Sequence, residues 1–134
     1  MTFVDTGAWF ASVMPKDPDH RAVADWLAAN EDQLITTDYV VDETLTLLLA
    51  RGQQRRAWAM GERLFAGDLA LLHYLTEEEI GRAWRVFCDY EDKLWSFTDC
   101  TSKVTMETFG LVQALALDSN FRQFGSVKVV PLSC

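Results

Sequence analysis

Four acidic residues, far apart along the chain, are the strongest candidates for chemistry. They are Asp5 in Phe3-Val4-Asp5-Thr6, Glu43 in Val41-Asp42-Glu43-Thr44-Leu45, Asp99 in Ser96-Phe97-Thr98-Asp99-Cys100-Thr101-Ser102, and Asp118 in Ala114-Leu115-Ala116-Leu117-Asp118. Taken alone, Asp99 is an acid at a helix N-terminus, where the helix dipole favours negative charge. Four such acids brought together do more. Carboxylate oxygens without nearby Cys or His select hard cations such as magnesium or manganese, which keep several waters and take one or two protein carboxylates each. Such an ion activates water and stabilises a phosphodiester in transition, and paired ions about 3.5–4 Å apart do both. The reaction class that follows is phosphodiester hydrolysis. Thr6 and Thr101, next to the acids, are placed to orient a carboxylate or a water by hydrogen bonding.

Rival chemistries lack their residues. There is no Gly-x-Ser-x-Gly elbow, and His20 and His73 lie outside every hydroxyl constellation. The seven glycines are isolated, so neither glycine-rich nucleotide motif is present. A phosphoaspartyl enzyme built on Asp5 requires a second Asp two residues later, and that position is Gly7.

The elements that must position these acids alternate between strand and helix. Thr2 to Asp5 reads as a short buried strand, followed by a small helix from Ala8 to Met14 that Pro15 ends. From Pro18 to Asn30, Val23, Trp26 and Leu27 recur with helical spacing, and His20 faces solvent in the first turn. Leu34 to Thr37 is a second strand, with Asp38 as N-cap of a helix from Tyr39 to Ala50 that is apolar almost all round and therefore expected to be deeply packed. Glu43 shares a stripe with Val40 and Leu47, and Asp42 shares one with Leu45 and Leu49. Periodicity alone does not choose between the two acids; Glu43 has the longer reach.

Gln53 to Ala66 is a further helix with Ala57, Met60, Leu64 and Phe65 inward, and Leu69 to Leu75 a strand in which His73 is a packed residue. Thr76-Glu77-Glu78-Glu79 resembles a capping box opening a helix to Tyr90, with Ile80, Trp84 and Phe87 inward and the triple Glu as a solvated first turn. A helix then runs from the Thr98-Asp99 turn to Phe109, stopped by Gly110. Gln113 to Asp118 is the fourth strand, Asn120 to Phe124 a short turn or helix, and Val127 to Leu132 the last strand. This alternation implies a parallel sheet with helices on both faces, a three-layer α/β/α sandwich. Ligands of such sheets gather at the carboxyl ends of the strands. If the first and fourth strands are neighbours, Asp5 and Asp118 project into one crevice.

At 134 residues the chain reads as a single domain, 1–134, long enough to bury about 68% of its unfolded surface. Its hydrophobic content of 49% argues against disorder, and no apolar run approaches a membrane span. No signal peptide is visible. Cys88, Cys100 and Cys134 are odd in number and lack Cys-x-x-Cys spacing, which suggests reduced thiols in the cytoplasm and no zinc cluster, with Cys134 the thiol most open to artefactual cross-linking. Twelve basic against 20 acidic residues give a formal charge of −8, unusual for a protein that holds nucleic acid by charge alone. Divalent cations would make an acidic pocket tolerable to a phosphate. Arg51, Arg55, Arg56, Lys103 and Arg122 offer a basic rim, or equally a solvated face.

The segments quoted above, together with Asp118-Ser119-Asn120-Phe121-Arg122, resemble a PIN domain in order and spacing over nearly the whole chain, and in particular the single-domain VapC-type toxins of prokaryotic toxin–antitoxin systems. Lys103 departs from the pattern, which usually has an apolar residue after the Thr-Ser pair. The resemblance assigns the metal-binding acids to Asp5, Glu43, Asp99 and Asp118. It implies a magnesium- or manganese-dependent endoribonuclease, a sheet of strand order 3-2-1-4-5, a homodimer, and inhibition by a small antitoxin. RNA processing without an antitoxin, and a PIN-fold binding module without catalysis, are the alternatives.

Overall fold

The computed structural model describes residues 1–132, so Cys134 lies outside the described residues. The sheet has five parallel strands in the order β3-β2-β1-β4-β5, formed by β1 (Thr2–Val4), β2 (Leu34–Thr37), β3 (Leu71–His73), β4 (Gln113–Leu115) and β5 (Lys128–Val130). Six helices flank it: α1 (Thr6–Val13), α2 (His20–Ala29), α3 (Asp38–Ala50), α4 (Gln54–Ala66), α5 (Glu77–Asp89) and α6 (Phe97–Phe109). The expected α/β class and strand order are both realised. Among the described residues, no helix is long and apolar enough to cross a membrane.

Strand β1 is central because it carries no polar outer face. Thr2, Phe3 and Val4 are all fully buried, as a parallel strand covered on both faces requires. Phe3 pairs in register with Ile35 on one side and Ala114 on the other. Behind the end of β1, the Trp9 indole N–H donates to Thr36 Oγ1 at 3.2 Å, and that hydroxyl donates to the Val4 carbonyl at 3.0 Å. A smaller apolar cluster of Ala83, Trp95, Cys100 and Val104 joins α5 to α6.

Several local expectations are corrected. Strand pairing is shorter than the apolar runs suggest: Asp5 and Asp118 lie just past the paired residues, and the Leu69–Leu75 and Val127–Leu132 runs contribute three paired residues each. The cap of α3 is Thr37, whose Oγ1 accepts from the Val40 N–H at 3.1 Å, while Asp38 Oδ1 accepts from the Leu75 N–H at 3.0 Å and ties the helix to the loop after β3. Helix α2 begins at His20, not Pro18, and the His20 ring is half-buried with Nδ1 2.6 Å from the Ala11 carbonyl. A helix packed on one side hides only one stripe. Leu49 of α3, Phe65 of α4, and Trp84 and Phe87 of α5 therefore stay exposed, at 59%, 57%, 58% and 42%. Helix α4 turns Ala57, Met60, Gly61 and Leu64 inward instead, and at Gly61 a Cβ would already sit 3.4 Å from both Leu45 methyls.

The triple Glu also divides. Glu77 and Glu78 are exposed, but Glu79 is buried. Its Oε1 accepts from the Thr76 N–H at 3.0 Å, completing a capping box, and His73 Nε2 lies 2.9 Å and 3.1 Å from its two oxygens. Burial opposes its ionisation, yet the Thr76 backbone N–H and the His73 ring together hold its pKa below the ordinary value of 4.5. An acid with a depressed folded-state pKa stabilises the fold above its unfolded pKa and loses that contribution as pH falls through the folded value. Glu79→Ala is therefore expected to cost about 1–3 kcal/mol at pH 7, and Glu78→Ala under about 0.5 kcal/mol, in chemical denaturation. The Glu79→Gln deficit should shrink as the pH is lowered below 4.5, the ordinary value.

Candidate metal and nuclease site

Asp5 follows β1 directly and caps α1. Its backbone N–H donates to the Leu115 carbonyl at 3.1 Å, and its carbonyl accepts from Trp9 at 3.1 Å, so the backbone is held from the neighbouring strand and from the helix. The side chain is 5% exposed, and its Oδ1 has no hydrogen-bond partner. Burial pushes the carboxyl up to about 8. The Thr6 backbone N–H pulls it down, and the charges of Asp99, Glu43 and Asp118 raise it further. Those three acids thus surround Asp5 closely enough for their charges to act on it.

Asp99 is the third residue of α6. Ser96 Oγ accepts from the Asp99 N–H at 3.0 Å, and Asp99 Oδ2 accepts from the Ser96 N–H at 3.1 Å, a reciprocal capping box that fixes the carboxylate at 7% exposure. Asp118 caps a 3₁₀ turn, Ser119–Gln123, through Oδ1, which accepts from the Asn120 N–H at 2.9 Å; its side chain is exposed. Glu43 is half-buried on α3, whereas Asp42 points to solvent and is not among the acids acting on Asp5. Of the two acids between which periodicity does not choose, Glu43 is the one whose charge acts on Asp5.

Thr101 is placed differently from its expected role. It is fully buried, and its hydroxyl donates to the Thr98 carbonyl at 2.6 Å within its own helix turn. Two polar residues stand closer to the chemistry than sequence reasoning gave them. Ser102, one turn after Asp99, has a buried Oγ with no partner, and Asn120 Nδ2 donates to Asp99 Oδ2 at 3.0 Å. The Asp118-x-Asn120 spacing of an Asx turn was the available signal for Asn120.

Among the described residues, the buried side-chain oxygens and nitrogens without a partner are Asp5 Oδ1, Thr6 Oγ1 and Ser102 Oγ. All three lie on the segments carrying Asp5 and Asp99. Buried polar groups are ordinarily hydrogen-bonded, so orphans confined to these two segments are groups that a bound ligand would satisfy. Among the described residues, no three carboxylate, imidazole or thiol side chains form a ready-made metal cage. The donor set instead offers two buried carboxylates, two less buried ones and two free hydroxyls, all oxygen. That suits a hydrated hard cation that takes one or two carboxylates directly and reaches the others through water.

The surroundings are mostly committed. Trp9, Trp95 and Phe121 belong to the core, at 2%, 5% and 0% exposure. The aromatic pair beside the acids is Tyr39, one turn before Glu43, and Phe97, two residues before Asp99, with ring centroids 6.0 Å apart. Of the expected basic rim, Lys103 pairs with Glu107 at 3.4 Å and Arg51 lies over the Phe10 ring at 5.7 Å. Arg122 is exposed on the 3₁₀ turn that follows Asp118.

The raised Asp5 value has a consequence for stability. The unfolded chain ionises Asp5 from its ordinary value of 3.8, while the folded, cation-free chain keeps the proton up to about 8, so stability is lost as pH rises between the two. In the presence of a chelator, Asp5→Asn is expected to melt above the wild type at pH 8, by at least roughly 4 °C, the shift that about 1 kcal/mol gives in a small domain. The gap should close toward pH 4. Differential scanning calorimetry across that range checks it.

Comparison with known proteins identifies the family. The PIN domain family matches residues 2–127. The 23S rRNA-specific endonuclease VapC20 of Mycobacterium tuberculosis is 30% identical over 131 residues, covering 98% of this chain and 99% of its own length. Ribonuclease VapC26 of the same organism is 27% identical over 127 residues, covering 95% and 92%. The crystal structure of VapC20, described as a sarcin–ricin loop cleaving toxin, matches with a TM-score of 0.88 at 27% identity, over 93% of this chain and 95% of that one. FitAcB from Neisseria gonorrhoeae shares the fold, with a TM-score of 0.68 at 16% identity over 96% of both chains. From the matched span and the strand order, this chain belongs to the PIN domain family.

Proposed function

We propose that this protein is a VapC-type endoribonuclease that hydrolyses RNA phosphodiester bonds with magnesium or manganese held by Asp5 and Asp99 and completed by Glu43 and Asp118. The observation that carries the metal assignment is the buried, unpartnered Asp5 Oδ1 lying in the field of three other acids. When bound, the cation supplies a Lewis acid at a phosphoryl oxygen and lowers the pKa of a water to the point of attack.

The chain's own residues do the rest. Asp5, held at the carboxyl end of the central strand, gives up its proton when a cation is bound, since ligand carboxylates must be ionised. Asp99 offers Oδ1, because Oδ2 is engaged by the Ser96 N–H and Asn120. Glu43, half-buried on α3, is the acid with the reach to take a proton from the attacking water. Thr6 and Ser102 have hydroxyls free to donate to carboxylates or to ordered water. Tyr39 and Phe97 narrow the approach and offer ring faces to an unpaired base.

The role that goes with this activity is that of the toxin in a type II toxin–antitoxin pair, a cytoplasmic homodimer restrained by a small antitoxin. The first RNA to present to it is the sarcin–ricin loop of 23S rRNA, the substrate named for VapC20. Cleavage of that RNA should require manganese or magnesium and stop on chelation. Loss of a hydrogen-bonding neighbour of a metal ligand costs about 10–100-fold, so Asp5→Asn or Asp99→Asn should lower the rate by more than about 100-fold while the variants remain folded. Cleavage retained by both would remove the catalytic assignment.

A further inference from the structure

We infer that Asn120 is a positioning residue that locks Asp99 and Asp118 into one arrangement for cation binding; this rests on the metal-site reading above. Its side-chain amide reaches two carboxylates from different parts of the fold. Nδ2 lies 3.0 Å from Asp99 Oδ2, across 21 residues of sequence, and 3.4 Å from Asp118 Oδ2. An ionised carboxylate only accepts hydrogen bonds, and the Asn amide nitrogen has two protons to give, so one group serves both acids.

The contact decides which oxygens remain for a ligand. Asp99 Oδ2 takes the Ser96 N–H and the Asn120 amide, and Oδ1 has no hydrogen bond among the described residues. Asp118 Oδ1 takes the Asn120 backbone N–H and Oδ2 the longer amide contact. Asp99 sits on a helix that packs against α5, and Asp118 sits on an exposed turn after β4. Without the bridge, two like charges on separately supported elements repel, and the exposed one keeps only the Asx-turn bond from the Asn120 N–H. With it, a neutral donor stands between them at no charge cost. Holding both carboxylates in place before the cation arrives removes the ordering that binding would otherwise require.

Substitution separates this role from a merely structural one. The Asx turn is closed by the Asn120 backbone N–H, which every variant keeps, and the turn is anchored by Phe121, which is fully buried. Asn120→Ala removes the amide, and Asn120→Leu removes it while keeping comparable bulk. Manganese alone is titrated calorimetrically into the full chain, without RNA, for the wild type, both Asn120 variants and Asp5→Asn. Binding in Asn120→Ala and Asn120→Leu is expected to be about 10–100-fold weaker than in wild type. In cleavage assays, the manganese concentration for half-maximal rate rises by a similar factor, kcat at saturating manganese recovers to within a few-fold, and KM for RNA is unchanged. Manganese binding by a folded Asn120→Leu within threefold of wild type would overturn the assignment to Asn120 and leave the metal site standing. A wild type that binds no manganese, or binds it equally well after Asp5→Asn, would overturn the metal site and this inference together.

Discussion

The burial of one carboxylate at the end of the central strand is the constraint around which this molecule is built. Asp5 is nearly inaccessible, lacks a partner for one oxygen, and faces the charges of three other acids. A group in that condition works against folding unless its proton stays on or a cation replaces it. The rest of the structure offsets the cost. Strand β1 is buried on both faces and paired on both sides, and the hydrogen-bond relay from Trp9 through Thr36 to the Val4 carbonyl stiffens the point where the strand gives way to Asp5. The strained chemistry is placed where the scaffold is least able to yield.

Each of the other acids is held by a different device, and the devices grade their freedom. Asp99 is fixed inside a capping box, so the interaction that starts α6 also orients a carboxylate. Asp118 depends on an Asx turn and on a neighbour's amide. Glu43 is carried by the body of α3, one turn beyond Tyr39. Two buried carboxylates and two less buried ones would suit the proposed centre, which has to hold a cation and leave room for water around it.

How much of this was legible in the sequence follows from the range of each interaction. The Gly110 stop and the alternation that dictates a parallel sheet are local signals, and the structure places them as read, whereas α6 starts at Phe97 under a Ser96 cap, ahead of the Thr98-Asp99 turn expected to open it. Burial within a stripe is not local. Trp84 and Phe65 looked like core residues by type, yet their helices turn Ala83 and Leu64 inward. Glu79 sat in a recognised capping pattern, but that the same carboxylate also meets His73 depends on β3 delivering the ring. Thr37 and Asp38 are equally good caps by type; the Leu75 N–H recruits Asp38 and leaves the cap to Thr37. The Asp118-x-Asn120 spacing signals the Asx turn, but the Asn120 amide contact to Asp99 joins two elements that no spacing rule connects.

The strand order sets when during synthesis the sheet can close. The central strand pairs first with β2, close behind it, but its other neighbour is β4, and Gln113 reaches back to the Thr2 hydroxyl across 111 residues. Asp118 and Asn120 lie beyond that strand, so a nascent chain that has not yet presented it lacks a closed sheet, the last of the four acids and the amide that bridges Asp118 to Asp99. A sheet wired in this way closes only after β4 has been made.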